Sequence, residues 1–392
     1  MSKLANIDSL AKVSGFLIFV ISPFYPILFT YALVLLLVIT VIKLIKKRSF
    51  ELKWSIQLTF LTAFLAFTMV SSFWTETISE GFQLLSKLLP LLIVPILIQN
   101  TNQRSIVFID YFIIGNLISV FTNFLYAVVN QSLNSEFLYL HYSQFMHPSY
   151  YAFFCIVAAI FALQQYINRK KIWYLIASMV LVSQIILVGS KTGIITLLSV
   201  SIIFLIKELI LQRNRKILIL TGISLLAIGI LGYNSNRIQN FKENIYEISL
   251  DKSKLYPTES TGIRWAIYLT DIEIIKETPF FGNGTGKAKT LIHENLLKNE
   301  KRMRHLLDKK YNAHNQFLET WMENGPIAMG LLIGLLLSIR SIHKRQLWEL
   351  ITVGIFINYS FESMLARQSG IILLSIILAL YLNPYRPASV KK

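Results

Sequence analysis

Lys191, Arg264 and His314 are the residues whose chemistry packing explains least. Arg264 stands in Gly262-Ile263-Arg264-Trp265, in the first turn of an expected helix. A guanidinium there, with Trp265 beside it, suits a diphosphate, because its planar fork binds two oxygens and stays charged. The plainer reading pairs it with Glu259 or Asp271. His314, in Asn312-Ala313-His314-Asn315, is expected to share a helical face with Leu318 and Trp321, which would bury it. An imidazole also suits a general base or a hydrogen-bond donor to a sugar hydroxyl, and Asn315 is placed to orient it or a substrate. Lys191 lies in the tight turn Gly189-Ser190-Lys191-Thr192 between two apolar runs. A lysine there is costly unless it meets an anion, meets water or snorkels to the lipid headgroups. His141, Tyr142, His147 and Tyr150 either line the same cavity or form an aromatic belt at the membrane surface.

Between Arg264 and His314 runs Pro279-Phe280-Phe281-Gly282-Asn283-Gly284-Thr285-Gly286. Gly282, Gly284 and Gly286 permit a tight turn or a close approach to a ligand. The stretch lacks the Lys-Ser/Thr and the preceding strand of a phosphate-binding loop, so a turn that folds the segment back is expected. No acid pair, zinc-type cluster or Ser/His/Asp grouping is evident: His293 and Glu294 are adjacent, and His305 with Asp308 reads as an exposed ion pair. The expectation is therefore an enzyme with no metal and no cofactor. The single cysteine, Cys155, excludes an internal disulfide.

The elements that must position these residues are membrane helices. The chain is 54% hydrophobic and 15% charged, against about 25% charged in soluble domains. Its mean hydropathy is +0.55. The net charge of +17 falls in short clusters between apolar runs, as the positive-inside rule requires, and not in an aromatic-interleaved groove for nucleic acid. A span needs about 20 apolar residues. Pro23 and Pro26 divide the run Ser9–Ile45 into two spans. Further spans are expected over Trp54–Phe73, Leu84–Ile98 (kinked at Pro90 and Pro95), Ile106–Val129, Tyr150–Ile167, Trp173–Val188 and Gly193–Leu211. Ile217–Tyr233, Pro326–Ile342, Trp348–Leu365 and Gly370–Leu382 complete the set.

The expected fold is thus an all-α polytopic membrane protein of about twelve transmembrane helices. One large helical extracytoplasmic loop lies between spans nine and ten. In domain terms, residues 1–233 form a bundle, 234–325 a catalytic loop, and 326–392 three spans and a tail. Lys46–Arg48, Arg104, Arg169–Lys171, Arg213–Lys216, Lys344–Arg345 and both termini fall on one side, taken as cytoplasmic. Within the loop, an amphipathic Asn236–Ile248 and helices over Gly262–Glu277 and Ala288–Lys310 are expected, with a third from Ala313.

Taken together, these features resemble the O-antigen ligase / O-antigen polymerase superfamily of integral membrane glycosyltransferases. Arg264, Pro279, Gly282, Gly284, Gly286, His314, Asn315, Leu318 and Gly325 match its pattern in order, and His147-Pro148-Ser149-Tyr150 is similar to its approach to a middle span. Where that family typically carries Ser-Arg, this chain has Ser190-Lys191, which keeps the charge but loses the bidentate fork. The resemblance implies an undecaprenyl-diphosphate-linked glycan donor at the outer face of a bacterial inner membrane. It implies inverting attack by an acceptor hydroxyl and diphosphate held by Arg264 and Lys191, with His314 orienting or deprotonating the acceptor. Trp265, Asn315, His147 and Tyr150 would contact glycan or diphosphate. The acceptor is either another lipid-linked repeat unit, which is slightly preferred, or a lipid A-core or protein. A flippase and a chain-length regulator are the implied protein partners. The reading from a different class is a polysaccharide or lipid flippase, which would call for two similar halves and charges deep in several spans.

Overall fold

A computed structural model of the chain describes residues 2–47, 50–75, 78–101, 103–129, 142–211, 260–299, 306–307, 309–340 and 347–383, with Gly222. The expected span Ile217–Tyr233, the amphipathic stretch Asn236–Ile248, Glu76, His141, Glu259, His305 and Asp308 lie outside the described residues, Gly222 apart. So do the basic clusters Arg213–Lys216 and Lys344–Arg345.

Every regular element described is a helix. In chain order these are α1 (Ser2–Ile21), α2 (Pro26–Lys47), α3 (Ile56–Ser71, continued by a 3-10 turn at Ser72–Trp74), α4 (Ile78–Leu88) and α5 (Pro90–Gln99). Then follow α6 (Ser105–Val129), α7 (Pro148–Arg169), α8 (Ile172–Val188), α9 (Lys191–Leu211), α10 (Ser260–Glu277) and α11 (Ala288–Asn299). The last are α12 (Gln316–Leu337), α13 (Trp348–Phe361) and α14 (Gln368–Leu382). Pro23 and Pro26 do separate α1 from α2, since proline offers no amide donor to continue a helix. Leu89 keeps helical angles between α4 and α5, so Ile78–Gln99 forms one apolar unit across Pro90.

Seven of these units are long and apolar enough to cross a membrane, and α8 and α14 are shorter apolar helices. The difference from twelve has local causes. One expected span is outside the described residues, α1 carries Lys3, Asp8 and Lys12, and α13 stops after 14 residues at Glu362. The molecule is a helical membrane protein.

The centre of the bundle is α7. Its membrane window is 83% buried, whereas the other six range from 33% to 50%, so α7 is enclosed by protein while they also face lipid. It packs on α6, α8, α9, α13 and α14. Close helix approach relies on small residues, as usual in lipid: a Cβ at Gly115 of α6 would lie 2.5 Å from the carbonyl of Val20 in α1.

A second, smaller core lies over one end of the bundle. Ile267, Ile274 and Ile275 of α10, Ile292 and Leu296 of α11, and Met322 of α12 pack together, with Trp265, Leu318 and Trp321 partly buried against them. Of the helix expected over Ala288–Lys310, Ala288–Asn299 is helical and Leu306–Leu307 is 3-10; residues 300–305 and 308 lie outside the described residues. One helix joins the two cores. Before Gly325, Leu318, Trp321 and Met322 pack on the loop helices while Phe317 stacks on Phe356 of α13; beyond it, Ala328, Leu332, Leu335 and Leu336 lie in the bundle core. The join is a break at Gly325 (φ 77, ψ 177), ahead of Pro326.

Candidate active site

Glu362 is the residue around which the site is built. It follows α13 at the C-cap in extended backbone and is buried, with 4% of its side chain exposed. A carboxylate so placed must be paired, because an isolated buried charge costs many kcal/mol. Three elements supply partners. From α10, Arg264 Nη2 donates to Glu362 Oε1 at 2.6 Å while Nη1 donates to the Phe361 carbonyl at 2.8 Å. From the first turn of α7, the Ser149 hydroxyl donates to the same Oε1 at 3.0 Å. From the segment before α12, His314 Nδ1 stands 3.6 Å from Oε2. That is an ion-pair distance, slightly long for a hydrogen bond.

Burial pushes the Glu362 carboxyl up, but His314, Arg264 and His147 together outweigh it and hold the pKa at about 2, below the usual 4.5. Glu362 is therefore ionised across the physiological range. His147 shows the converse. Desolvation first, then the positive charges of Arg367, Arg264 and His314, lower its pKa from 6.5 against the opposite pull of Glu362. Its outer edge is exposed, while Nδ1 caps α7 by accepting from the Ser149 amide at 3.4 Å.

His314 does not lie on a helical face with Leu318 and Trp321, as its spacing suggested. It adopts left-handed backbone (φ 50) just ahead of the helix. The reason is the next residue: Asn315 is an N-cap whose side-chain oxygen accepts from the amides of Phe317 (2.9 Å) and Leu318 (3.1 Å). Asn315 thus starts α12 at Gln316 and turns His314 out of it. Tyr268 of α10 fixes the loop, its hydroxyl lying 3.1 Å from the His314 carbonyl and 3.2 Å from that of Ser360.

Lys191 opens α9, with the Ser190 hydroxyl accepting from the Gly193 amide at 3.1 Å. Its Nζ donates to Thr261 Oγ1 at 3.2 Å, one turn before Arg264 on α10. Arg264 and His314 thus meet on Glu362, Lys191 reaches α10 one turn before Arg264, and His147 caps the helix whose Ser149 donates to the same carboxylate. Tyr150 is buried behind them, donating to the Ser363 carbonyl at 3.1 Å. Trp265 packs into the smaller core. Among the described residues no group of three or more His, Cys, Asp or Glu side chains is placed to hold a metal ion.

The glycine turn supports the site from behind. Gly282, Gly284 and Gly286 all have positive φ (68, 95 and 89). The turn is stitched to α12, with Asn283 and Gly284 amides donating to the Met322 (2.9 Å) and Glu323 (2.7 Å) carbonyls. Its close contact is with protein backbone: a Cβ at Gly282 would meet the Glu323 carbonyl at 2.4 Å.

Sequence reasoning missed Glu362, Ser149, Tyr268 and Arg367. Averaging the apolar run Trp348–Leu365 hid Glu362 inside an expected span, although an acid within such a run is itself a signal. Chemically, the arrangement sets an ionised carboxylate behind an imidazole, with the Arg264 guanidinium on the same carboxylate and Lys191 one helical turn away at Thr261. It can hold an anion at Lys191 and Arg264 and can stabilise a proton arriving on His314.

Comparison with known proteins agrees with the motif reading. Residues 176–333 match a family model described as O-Antigen ligase. The matched stretch includes Lys191, Arg264, His314 and Asn315 but neither His147 nor Glu362. No curated protein matches the chain.

Proposed function

We propose that this protein of the O-antigen ligase and polymerase superfamily transfers an undecaprenyl-diphosphate-linked oligosaccharide to an acceptor sugar hydroxyl. The transfer takes place at the outer face of the inner membrane. The observation that carries the reading is the meeting of Arg264, His314 and Ser149, from three separate elements, on the buried carboxylate of Glu362.

In this reading the acceptor hydroxyl attacks the anomeric carbon with inversion. The new C–O bond forms as the bond to the diphosphate breaks, and undecaprenyl diphosphate leaves. The hydroxyl proton passes to His314 Nε2, since Nδ1 faces Glu362. Glu362 is then the positioning residue that fixes the imidazole and balances its new charge, as a carboxylate does for a histidine base. Lys191 and the remaining donors of Arg264 neutralise charge developing on the leaving diphosphate. His147, whose pKa its surroundings lower, is exposed at the start of α7, where it suits a glycan hydroxyl. A lipid-linked repeat unit is the preferred acceptor, making the enzyme a surface-polysaccharide polymerase; lipid A-core is the alternative.

The test is purified protein given undecaprenyl-diphosphate-linked glycan, with Arg264→Ala and His314→Ala variants beside it. The reading expects product only from the unmodified chain. Full activity in both variants would remove the site assignment. Growth of the lipid-linked glycan with no added core acceptor identifies a polymerase.

A further inference from the structure

The turn that stitches the loop to α12 also presents two large apolar side chains for which the site has no use. Phe280 and Phe281 are 71% and 72% exposed. They are not on a mobile tip. The Trp321 indole donates to the Pro279 carbonyl at 2.9 Å, and a Cβ at Gly325 would lie 2.3 Å from the Phe280 carbonyl.

Their height relative to the membrane follows from what the turn rests on. Thr285 donates to the Thr68 carbonyl of α3 at 2.8 Å. A Cβ at Gly284 would lie 2.1 Å from Thr75, and one at Gly286 would lie 3.0 Å from the Glu80 backbone. Thr75 lies in the short connection between two membrane-crossing units, Ile56–Trp74 and Ile78–Gln99, and Glu80 in the first turn of the second. Such a connection lies at the membrane boundary, and so does a turn resting on it. The same boundary carries exposed Phe73 (59%), Trp74 (42%) and Phe82 (44%), the aromatic composition that marks headgroup level.

The geometry points to Phe280 and Phe281 being inserted into the bilayer interface, so that the turn docks the catalytic loop on lipid. The partner is the headgroup–acyl boundary of the leaflet on the loop's side. Because the turn is bound to Met322, Glu323 and Asn324 through Asn283, Gly284 and Thr285, docking fixes the height of α12 and of His314 at its start. The inference rests on the membrane placement and not on the transferase reading.

The test uses the full chain in nanodiscs of phosphatidylethanolamine and phosphatidylglycerol. A nitroxide is attached at Phe281→Cys in a Cys155→Ser background, and Lys289→Cys, exposed on α11, is the control. Collision rates with oxygen and with a water-soluble nickel chelate are compared. The proposal expects oxygen to dominate several-fold at 281 and nickel to dominate at 289. Nickel dominance at both positions overturns it. Nickel access in lipid alone that disappears only on adding lipid-linked glycan also overturns it, and assigns the turn to substrate instead. If Phe281→Cys fails to fold, Phe280→Cys gives the same readout.

Discussion

Arg264 and Glu362 are held together by a 2.6 Å charged hydrogen bond that joins a loop helix to the end of a bundle helix. Removing the carboxylate leaves the Arg264 guanidinium without its charged partner. Losing one partner of a fully buried pair costs about 3–5 kcal/mol. Arg264 is 24% exposed, so solvent screens part of that. Glu362→Ala is expected to cost about 2–3 kcal/mol, and Glu362→Gln less, because the amide oxygen still accepts. Chemical denaturation of both variants in one detergent checks the order.

Stability also carries a pH signature. The folded pKa of Glu362 is about 2 against an ordinary 4.5, so its contribution is complete above 4.5 and is lost as pH falls toward 2. His147 acts at a higher pH. Its folded pKa lies below 6.5, so the unfolded chain binds more protons there and stability falls as pH drops through 6.5. Melting temperatures between pH 5 and 8 should slope upward in the unmodified protein, and His147→Asn should flatten the slope.

Much of this architecture is legible in the chain itself. Pro23 and Pro26 mark the first break, and the apolar runs locate most helix ends to within a few residues. The chemistry is less legible because it is non-local. Nothing near Arg264 in sequence indicates a partner at Glu362, and the acid disappears when Trp348–Leu365 is averaged as a single span. The place of His314 has a local cause. Asn315 is a strong N-cap type, and placing the helix start after it would have put His314 outside the helical face.

Lys191 tests the anion side of the site. Its Nζ donates to Thr261, and a charged hydrogen bond to a diphosphate is worth about 1.5–3 kcal/mol. Lys191→Ala should raise the donor KM about tenfold or more. Lys191→Arg should keep most of the affinity. Initial rates across donor concentration separate KM from kcat.

Gly325 tests the join between the two cores. Its φ of 77 and ψ of 177 belong to a region open almost only to glycine. Gly325→Ala adds a strain of about 1–3 kcal/mol, besides a Cβ 2.3 Å from the Phe280 carbonyl. The variant should melt at lower temperature and lose activity, although residue 325 lies well along α12 from His314.

The central claim is that His314 and Glu362 work as one unit, and a double-mutant cycle on kcat tests it most directly. His314→Gln alone should cost about 10²–10⁴-fold, and Glu362→Gln somewhat less. Groups acting as a unit give grossly non-additive losses. The account predicts that the double variant is no slower than His314→Gln alone. Losses that multiply would show two independent residues and contradict it.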